Sequence, residues 1–519
     1  MSPVSPSETA PSADKPRAHH SPELCRFHLE AGHNQIIYRE MLADTQTAVG
    51  AMLKLADQQT HACLLESVEG GEVRGRFSVI GLAPDLLWQC RDGVASINRT
   101  PKDDAAFEVD SRAPLESLRA LMAEAEMPDT APLPSMAAGL FGYFGYDMIR
   151  EIENISDHND RQIDVSDAML MRVSLVAIFD RLKDTITLAT QIRAAEHTDA
   201  DMAFAEASAR LDRLEAQLNA GLPVEPKRDV HEIPAEPAAN MSKETFFNMV
   251  KKAKDYIKAG DIFQVVLSQR FSFPFRLPSM DLYRSLRRLN PSPFLFHFKL
   301  GDLAIVGSSP EILVRLRDGD VTIRPIAGTR KRGANAEEDQ AQADDLLSDI
   351  KERAEHLMLL DLGRNDVGRV AKAGSVHLTS QFVVEYYSHV MHIASEVVGK
   401  IRPQLDAIDA LIAGFPAGTV SGAPKIRAMN IIDELEPDKR GIYAGAIGYI
   451  SAAGELDSCI ALRTAILHQG QMHVQAGAGI VYDSKEQAEF EECQNKARAL
   501  IRAASEAMRL AKQSADKAD

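Results

Sequence analysis

Two short runs carry glutamates paired at helical spacing. Glu352 and Glu355 lie three apart in "KERAEHLMLLDL", and Glu489 and Glu492 repeat that spacing in "EFEECQNKAR". Residues three apart on a helix share a face, so each pair repels itself by about 0.2–0.5 kcal/mol in water and by more where water is excluded. A solvated helix face tolerates that cost. Two such pairs facing one another would instead form an all-oxygen site for a hard divalent cation, with Mg²⁺ keeping some waters and taking an anionic substrate as a further ligand. The apolar "LMLLDL" after Glu355 gives its helix a buried side close by, although nothing local brings the two helices together.

Other runs suit an anion. In "RPIAGTRKRG" (324–333), Pro325 ends a strand, Gly328 lets the backbone approach a ligand, and Thr329 adds a hydroxyl ahead of Arg330, Lys331 and Arg332. The pattern fits an anion-binding turn or a basic surface turn. Gly477, Ala478 and Gly479, between a strand signal and the acidic helix, either present backbone N–H groups to an anion or simply turn the chain. "GFPAGTVSGAPK" (414–425) looks superficially like a phosphate loop, but Gly418 to Lys425 has the wrong spacing and no Ser or Thr follows Lys425, which argues against ATP. Pro424 opens a helix whose N-terminus could still receive a carboxylate. His389 and His392 in "HVMHIAS" are each a base or a satisfied polar group. Cys493 has no His/Asn constellation near it and reads as a small buried filler.

The elements that must position these residues follow from periodicity and caps. The acidic helix, 485–512, opens on Ser484 with Gln487 three further on, a capping box. A helix runs from a Ser242 cap to Gly260, and further helices are predicted over 340–361, 388–400, 404–414 and 424–433. Strand signals recur at "IFQVVLSQRFSF", "FLFHFKL", "LAIVGS", "EILVRL", "VTIRP", "GIYAGAIGYI", "CIALRTAIL" and "MHVQAGAGIVY", often only a turn apart. Close spacing favours hairpins and antiparallel pairing over repeated βαβ units, so the fold class is α+β. The expected organisation is a disordered leader at 1–25, a first domain at 26–222, a proline-rich linker at 223–242, a large domain at 243–512 and a flexible tail at 513–519.

A chain of 519 residues exceeds one core. Its net charge of −17 argues against nucleic acid or an anionic membrane as the main partner. Five scattered cysteines without a CxxC pair, and no apolar signal segment, fit a reduced cytoplasmic compartment.

Taken in order, "GDIFQVVLSQR", "GSSPEILVR", "RPIAGTRKRG", "KERAEHLMLLDLGRNDVGRV", "HVMHIAS", "FPAGTVSGAPK", "GAIGYI", "ALRTA", "QAGAGIVYDS" and "EFEECQNKA" resemble the chorismate-utilising enzymes, and most of all the large subunits of anthranilate synthases. The resemblance spans the second domain and reaches the first through "LLES" and "GRFSVIG". It implies a large chorismate-binding domain of mainly antiparallel sheets with surrounding helices, beside a smaller regulatory region. It also implies conversion of chorismate and ammonia to anthranilate and pyruvate through aminodeoxyisochorismate. Glu355 and Glu492 would be direct Mg²⁺ ligands, with Glu352 and Glu489 holding metal-bound waters. Glu311 would protonate the departing hydroxyl and His392 would serve the loss of pyruvate. Tyr443 and Arg463 would hold the enolpyruvyl carboxylate, and Gly328, Thr329, Thr419, Gly477, Ala478, Gly479 and Lys496 would complete the chorismate site.

Two positions discriminate within this family. Gln264 stands where isochorismate and salicylate synthases have a water-activating lysine, and Ala327 stands where aminodeoxychorismate synthases have a lysine. Both favour the aromatised 2-amino product over the sister reaction, aminodeoxychorismate synthesis. A non-catalytic tryptophan-sensing subunit is the other alternative, disfavoured by the intact Glu311, His392, Glu355 and Glu492. The resemblance further implies an inhibitory L-tryptophan pocket of Glu66, Ser67, Pro293, Phe294, Leu295, Tyr449 and Cys459. No glutaminase machinery is present in this chain, so the resemblance implies a separate glutamine amidotransferase subunit, in a heterotetramer of two large and two small subunits.

Overall fold

The computed structural model describes residues 21–66, 75–102, 106–127, 133–223, 230, 237–387 and 390–518. Ser67 and His389 lie outside them, as do residues 1–20 of the leader and most of 223–242.

Helices and antiparallel strands share the fold, as the spacing of the strand signals predicts. The central strand Gln264–Pro274 is buried along nearly its whole length, consistent with its run of Val, Leu and Phe. It pairs with Gln471–Ile480 on one side, Val266 opposite Gly479 and Ser268 opposite Gly477, and with Gly422–Ala423 beside it. Strands distant in sequence are joined in the same way. His61–Glu66 pairs with Phe294–Leu300, and Gly139–Phe144 pairs with Ala446–Ser451, so the N-terminal and C-terminal regions exchange backbone hydrogen bonds directly.

Ser242 caps the helix Lys243–Ala259 by accepting from the Thr245 amide, and Gly260, at φ 84°, ends it in a left-handed conformation. Its buried face is Phe246, Met249, Val250 and Ala253, spaced three and four apart. Phe246 meets Phe490 of the last helix, Glu486–Ala518, edge to face at 5.7 Å. Burying a phenylalanine side chain contributes about 1.5–3 kcal/mol, so this contact anchors the acidic helix near its first turn. Ala497, Ala503, Ala504 and Ala507 line that helix's buried side. Ser484 does not form the expected box: its hydroxyl accepts from the Val481 amide.

Three local expectations are corrected. The helix expected over 388–400 is not found among its described residues: Val390–Lys400 is a strand pairing with His377–Tyr386, Ile326–Lys331 and Asp320–Ile323. Its partners bury it on most positions, and its β-branched "EVV" suits that environment. The helix over 340–361 is two, Ala336–Ser348 and Ile350–Val370, because Asp349 accepts from the Lys351 and Glu352 amides and starts a new N-terminus. Ile326–Lys331 is a bulged strand, with a register shift between Ala327 and Arg330, where a turn is expected.

Candidate active site

The two glycines of the Gly477–Ala478–Gly479 run are fixed by close approach. A Cβ at Gly479 would lie 2.5 Å from Gln264 Nε2, and one at Gly477 would lie 2.7 Å from Tyr443 Oη and 3.0 Å from the Leu267 carbonyl. Gln264 and Tyr443 can therefore lie over this strand only because it lacks side chains there. Gln264 is buried and its amide donates to Glu355 Oε1 at 3.1 Å.

Glu352, one turn earlier on the same helix, reaches back to the bulged strand. A Cβ at Gly328 would lie 3.1 Å from Glu352 Oε2. Burial first, and then the neighbouring Glu355 carboxylate, raise the Glu352 carboxyl above its ordinary value. The same occurs on the last helix: burial and then Glu492 raise Glu489, against the pull of the Ser484 hydroxyl, Lys351 and Lys496. Glu492 itself is exposed and pairs with Lys496 at 2.7 Å, and Lys496 Nζ also donates to the Gly477 carbonyl at 2.9 Å. Among the described residues, no three His, Cys, Asp or Glu side chains converge as a metal-holding group. The first carboxylate pair meets Gln264 and the Gly328 backbone, and the second reaches Gly477 through Lys496.

Glu311 follows the strand Leu303–Ser309 and is buried. Burial pushes its carboxyl up to about 8, while the Thr419 hydroxyl, the Ile326 amide, Arg324 and Arg463 pull the other way. Thr419 lies in the short turn Gly418–Val420, and its buried hydroxyl has no hydrogen-bond partner of good geometry among the described residues. His392 shows the opposite shift. Burial lowers its imidazole to about 4, the Gly328 carbonyl opposes this, and Arg463 and Lys496 add to it. Its Nδ1 lies 2.8 Å from the Gly328 carbonyl and 3.1 Å from Thr329 Oγ1. A carbonyl only accepts, so Nδ1 carries the hydrogen and Nε2 keeps the free lone pair.

These contacts bring the sequence-predicted residues together through shared neighbours. Arg463 acts on both Glu311 and His392, and Lys496 acts on both His392 and Glu489. Arg463 itself has φ 47°, a left-handed backbone rare for a residue with a side chain. Arg330 and Arg332, in contrast, are engaged locally: Arg330 with Asp345, Asp349 and Glu352, Arg332 with Asp339. They pin adjacent helices, so the anion reading of that basic run narrows to Gly328, Thr329 and the exposed Lys331.

A matched family model, described as "chorismate binding enzyme", covers residues 61–502. An anthranilate synthase component 1 from Cereibacter sphaeroides is 55% identical over 92% of this chain and 96% of its own length. The chain belongs to the anthranilate synthase component 1 family. A second member of that family, from Pseudomonas aeruginosa, is 47% identical over 91% of this chain and 96% of its own. The crystal structure of anthranilate synthase component I from Streptococcus pneumoniae superposes with TM-score 0.74 at 38% identity, covering 89% of this chain and 98% of that one. A menaquinone-specific isochorismate synthase from Escherichia coli shares the fold at TM-score 0.68 and 19% identity, covering 92% and 99%.

In this anthranilate synthase component 1 family member a second cavity is lined by none of the candidate chorismate-site residues. Glu66, Pro293, Phe294, Leu295, Tyr449 and Cys459 line it, with about 110 Å³ of water-accessible space, far more than the ~10–15 Å³ one water needs. Its polar end is Glu66, whose buried carboxylate accepts from Tyr283 Oη at 2.6 Å and pairs with Arg287 and Arg181. Phe141 stacks on Tyr449 at 5.4 Å. Tyr283, Arg287 and Phe141 touch the lining residues Glu66 and Tyr449 only through long-range pairing, so no local signal in the sequence marks them. The same holds for Tyr387, whose ring meets His392 edge to face at 5.5 Å and whose hydroxyl donates to Glu385, the partner of Arg324.

Proposed function

We propose that this chain is the large subunit that converts chorismate and ammonia to anthranilate and pyruvate. The observation that carries this reading is the geometry near Arg463: a buried Glu311 carboxyl, which burial raises to about 8, and a half-buried His392 imidazole fixed through Nδ1 on the Gly328 carbonyl, which burial lowers to about 4. At neutral pH Glu311 is then a proton donor and His392 a proton acceptor, the division of labour that an elimination pair requires.

Ammonia attacks C2 of the ring, the double bonds shift, the C4 hydroxyl leaves as water with a proton from Glu311, and the new ring ammonium gives up a proton to reach the amino intermediate. His392 Nε2 then removes the C2 proton, the C3–O bond breaks so that the ring becomes aromatic, and the released enolpyruvate takes up a proton at its methylene carbon to become pyruvate. Arg463 and Tyr443 bind the enolpyruvyl carboxylate, the arginine as a bidentate donor. Gly328, Thr329, Thr419, Lys496 and the amides of Gly477, Ala478 and Gly479 hold the remaining anionic groups. Gln264 has no basic nitrogen and cannot activate water, which supports ammonia as the nucleophile.

The donor set fits a hard cation: four carboxylates in two pairs, with Glu352 and Glu489 raised in part by their own neighbours, a repulsion that a cation relieves. Glu355 and Glu492 would hold Mg²⁺ directly and Glu352 and Glu489 through water, and the ion would supply Lewis-acid polarisation of the ring carboxylate.

Three finer readings accompany this. Ammonia comes from a glutamine amidotransferase subunit, in a heterotetramer of two large and two small chains. L-Tryptophan inhibits from the Glu66–Cys459 cavity, with Ser67 completing it. The compartment is the reducing cytoplasm, supported by five free cysteines, all buried; no helix among the described residues is long and apolar enough to cross a membrane.

Incubation with chorismate, ammonium and Mg²⁺ tests the reading against Glu492→Ala. Anthranilate from the wild type alone supports it, and none from the wild type refutes it.

A further inference from the structure

Behind the candidate substrate site lies a guanidinium on which several of its elements converge. Arg440 is fully buried and ion-paired to Glu436 at 2.6 Å. Its Nη1 donates to the Val420 carbonyl at 2.7 Å and its Nη2 to the Val266 carbonyl at 2.6 Å. Its plane lies over two rings, 4.7 Å from Tyr146 and 5.5 Å from Tyr443. Glu436 in turn accepts from the Ser268 amide at 2.8 Å and the Ser268 hydroxyl at 2.9 Å.

Each contact touches a neighbour of a candidate substrate-binding group. Val420 follows Thr419, Val266 and Ser268 lie opposite Gly479 and Gly477, and Tyr443 approaches Gly477 itself. The nearer of the two rings, Tyr146, belongs to the N-terminal region. Tyr146 is bound there through its amide to the Gly441 carbonyl at 2.7 Å, and Asp147 accepts from the Gly441 amide at 2.7 Å.

We propose that Arg440 is the positioning residue of the substrate site, setting the relative placement of the Thr419 turn, Tyr443 and the Gly477–Gly479 strand, and that the Tyr146 ring holds it in that role. This rests on the proposed reaction. A planar fork is needed, because one group must donate to two carbonyls and a carboxylate while stacking on two rings; lysine, a single flexible ammonium, cannot. Burying the charge is affordable only with all these partners present. The Tyr146 hydroxyl has no hydrogen-bond partner among the described residues, so the ring face is what acts.

The groups Arg440 positions hold substrate in both ground and transition states, and misplacing them removes uniform binding. Steady-state kinetics with ammonium and Mg²⁺ on the full chain therefore separates positioning from general fragility. Arg440→Lys raises the chorismate KM by about tenfold or more with kcat reduced far less. Tyr146→Leu shifts KM the same way to a smaller extent, and Tyr146→Phe, which keeps the ring, restores the wild-type KM. A lowered kcat at unchanged KM in Arg440→Lys overturns the proposal. If that variant does not fold, an unchanged KM in Tyr146→Leu overturns it. An inactive wild type would refute the proposed reaction instead.

Discussion

The side-chain amide of Gln264 donates to Glu355 Oε1 at 3.1 Å, joining the central strand to the helix that carries the first glutamate pair. Gln264→Glu would set a second carboxylate against Glu355 at that distance. Like charges this close disfavour ionisation of both, so the rate of anthranilate formation at pH 8 should fall by roughly 10- to 100-fold, the scale on which misplaced catalytic groups act. Gln264→Leu, which removes the donor without adding charge, should cost less. Initial rates at saturating ammonium and Mg²⁺ check this, and equal losses in the two variants would contradict it.

Glu311 gives a pH dependence with a definite sign. Its carboxyl is raised from 4.5 to about 8 in the fold, so the native state binds more protons than the unfolded chain between those values. Stability from this group is full below the unfolded value and is lost as pH rises through about 8. Glu311→Gln should therefore melt close to wild type at pH 5, melt higher than wild type at pH 9, and lose activity by about a hundredfold or more. Thermal melts at both pH values decide it; a variant less stable at pH 9 would contradict the burial of an acid.

His392 should remain neutral across the working range, because burial lowers it from 6.5 to about 4. In ¹⁵N-histidine spectra its resonances should keep the neutral Nδ1–H pattern from pH 9 to pH 5. A protonation midpoint near the ordinary 6.5 would show that the site is wetter than this. His392→Ala should still consume chorismate while releasing pyruvate more slowly, by about 10²–10⁴-fold, the usual contribution of a proton-transfer group.

Much of the site is legible in the sequence because its chemistry is carried by short contiguous runs. Ser242 and Gly260 bound a helix by rules acting within four residues, and the glutamates declare themselves by spacing alone. What stays hidden depends on partners far along the chain. Val390–Lys400 looks helical in isolation, and only its three partner strands make it extended. The pairing of Gly139–Phe144 with Ala446–Ser451 likewise has no local signal, and Arg440 looks like an ordinary charged loop residue until Glu436, Val266 and Val420 surround it.

The second cavity makes a separate prediction. Cys459 is buried on its wall, so Cys459→Phe should fill the space at a stability cost of about 1–3 kcal/mol. Ammonia-dependent activity should persist, while the tryptophan concentration for half-inhibition should rise by about tenfold or more, within the usual range of allosteric coupling. Inhibition unchanged from wild type would place the tryptophan site elsewhere.

The most direct test of the central claim is the identity of the product formed from chorismate, ¹⁵N-ammonium and Mg²⁺, read by NMR. One pyruvate per chorismate is expected, with an aromatic ring carrying ¹⁵N beside its carboxylate. A non-aromatic 4-amino product, or a hydroxylated isomer without nitrogen, would contradict it.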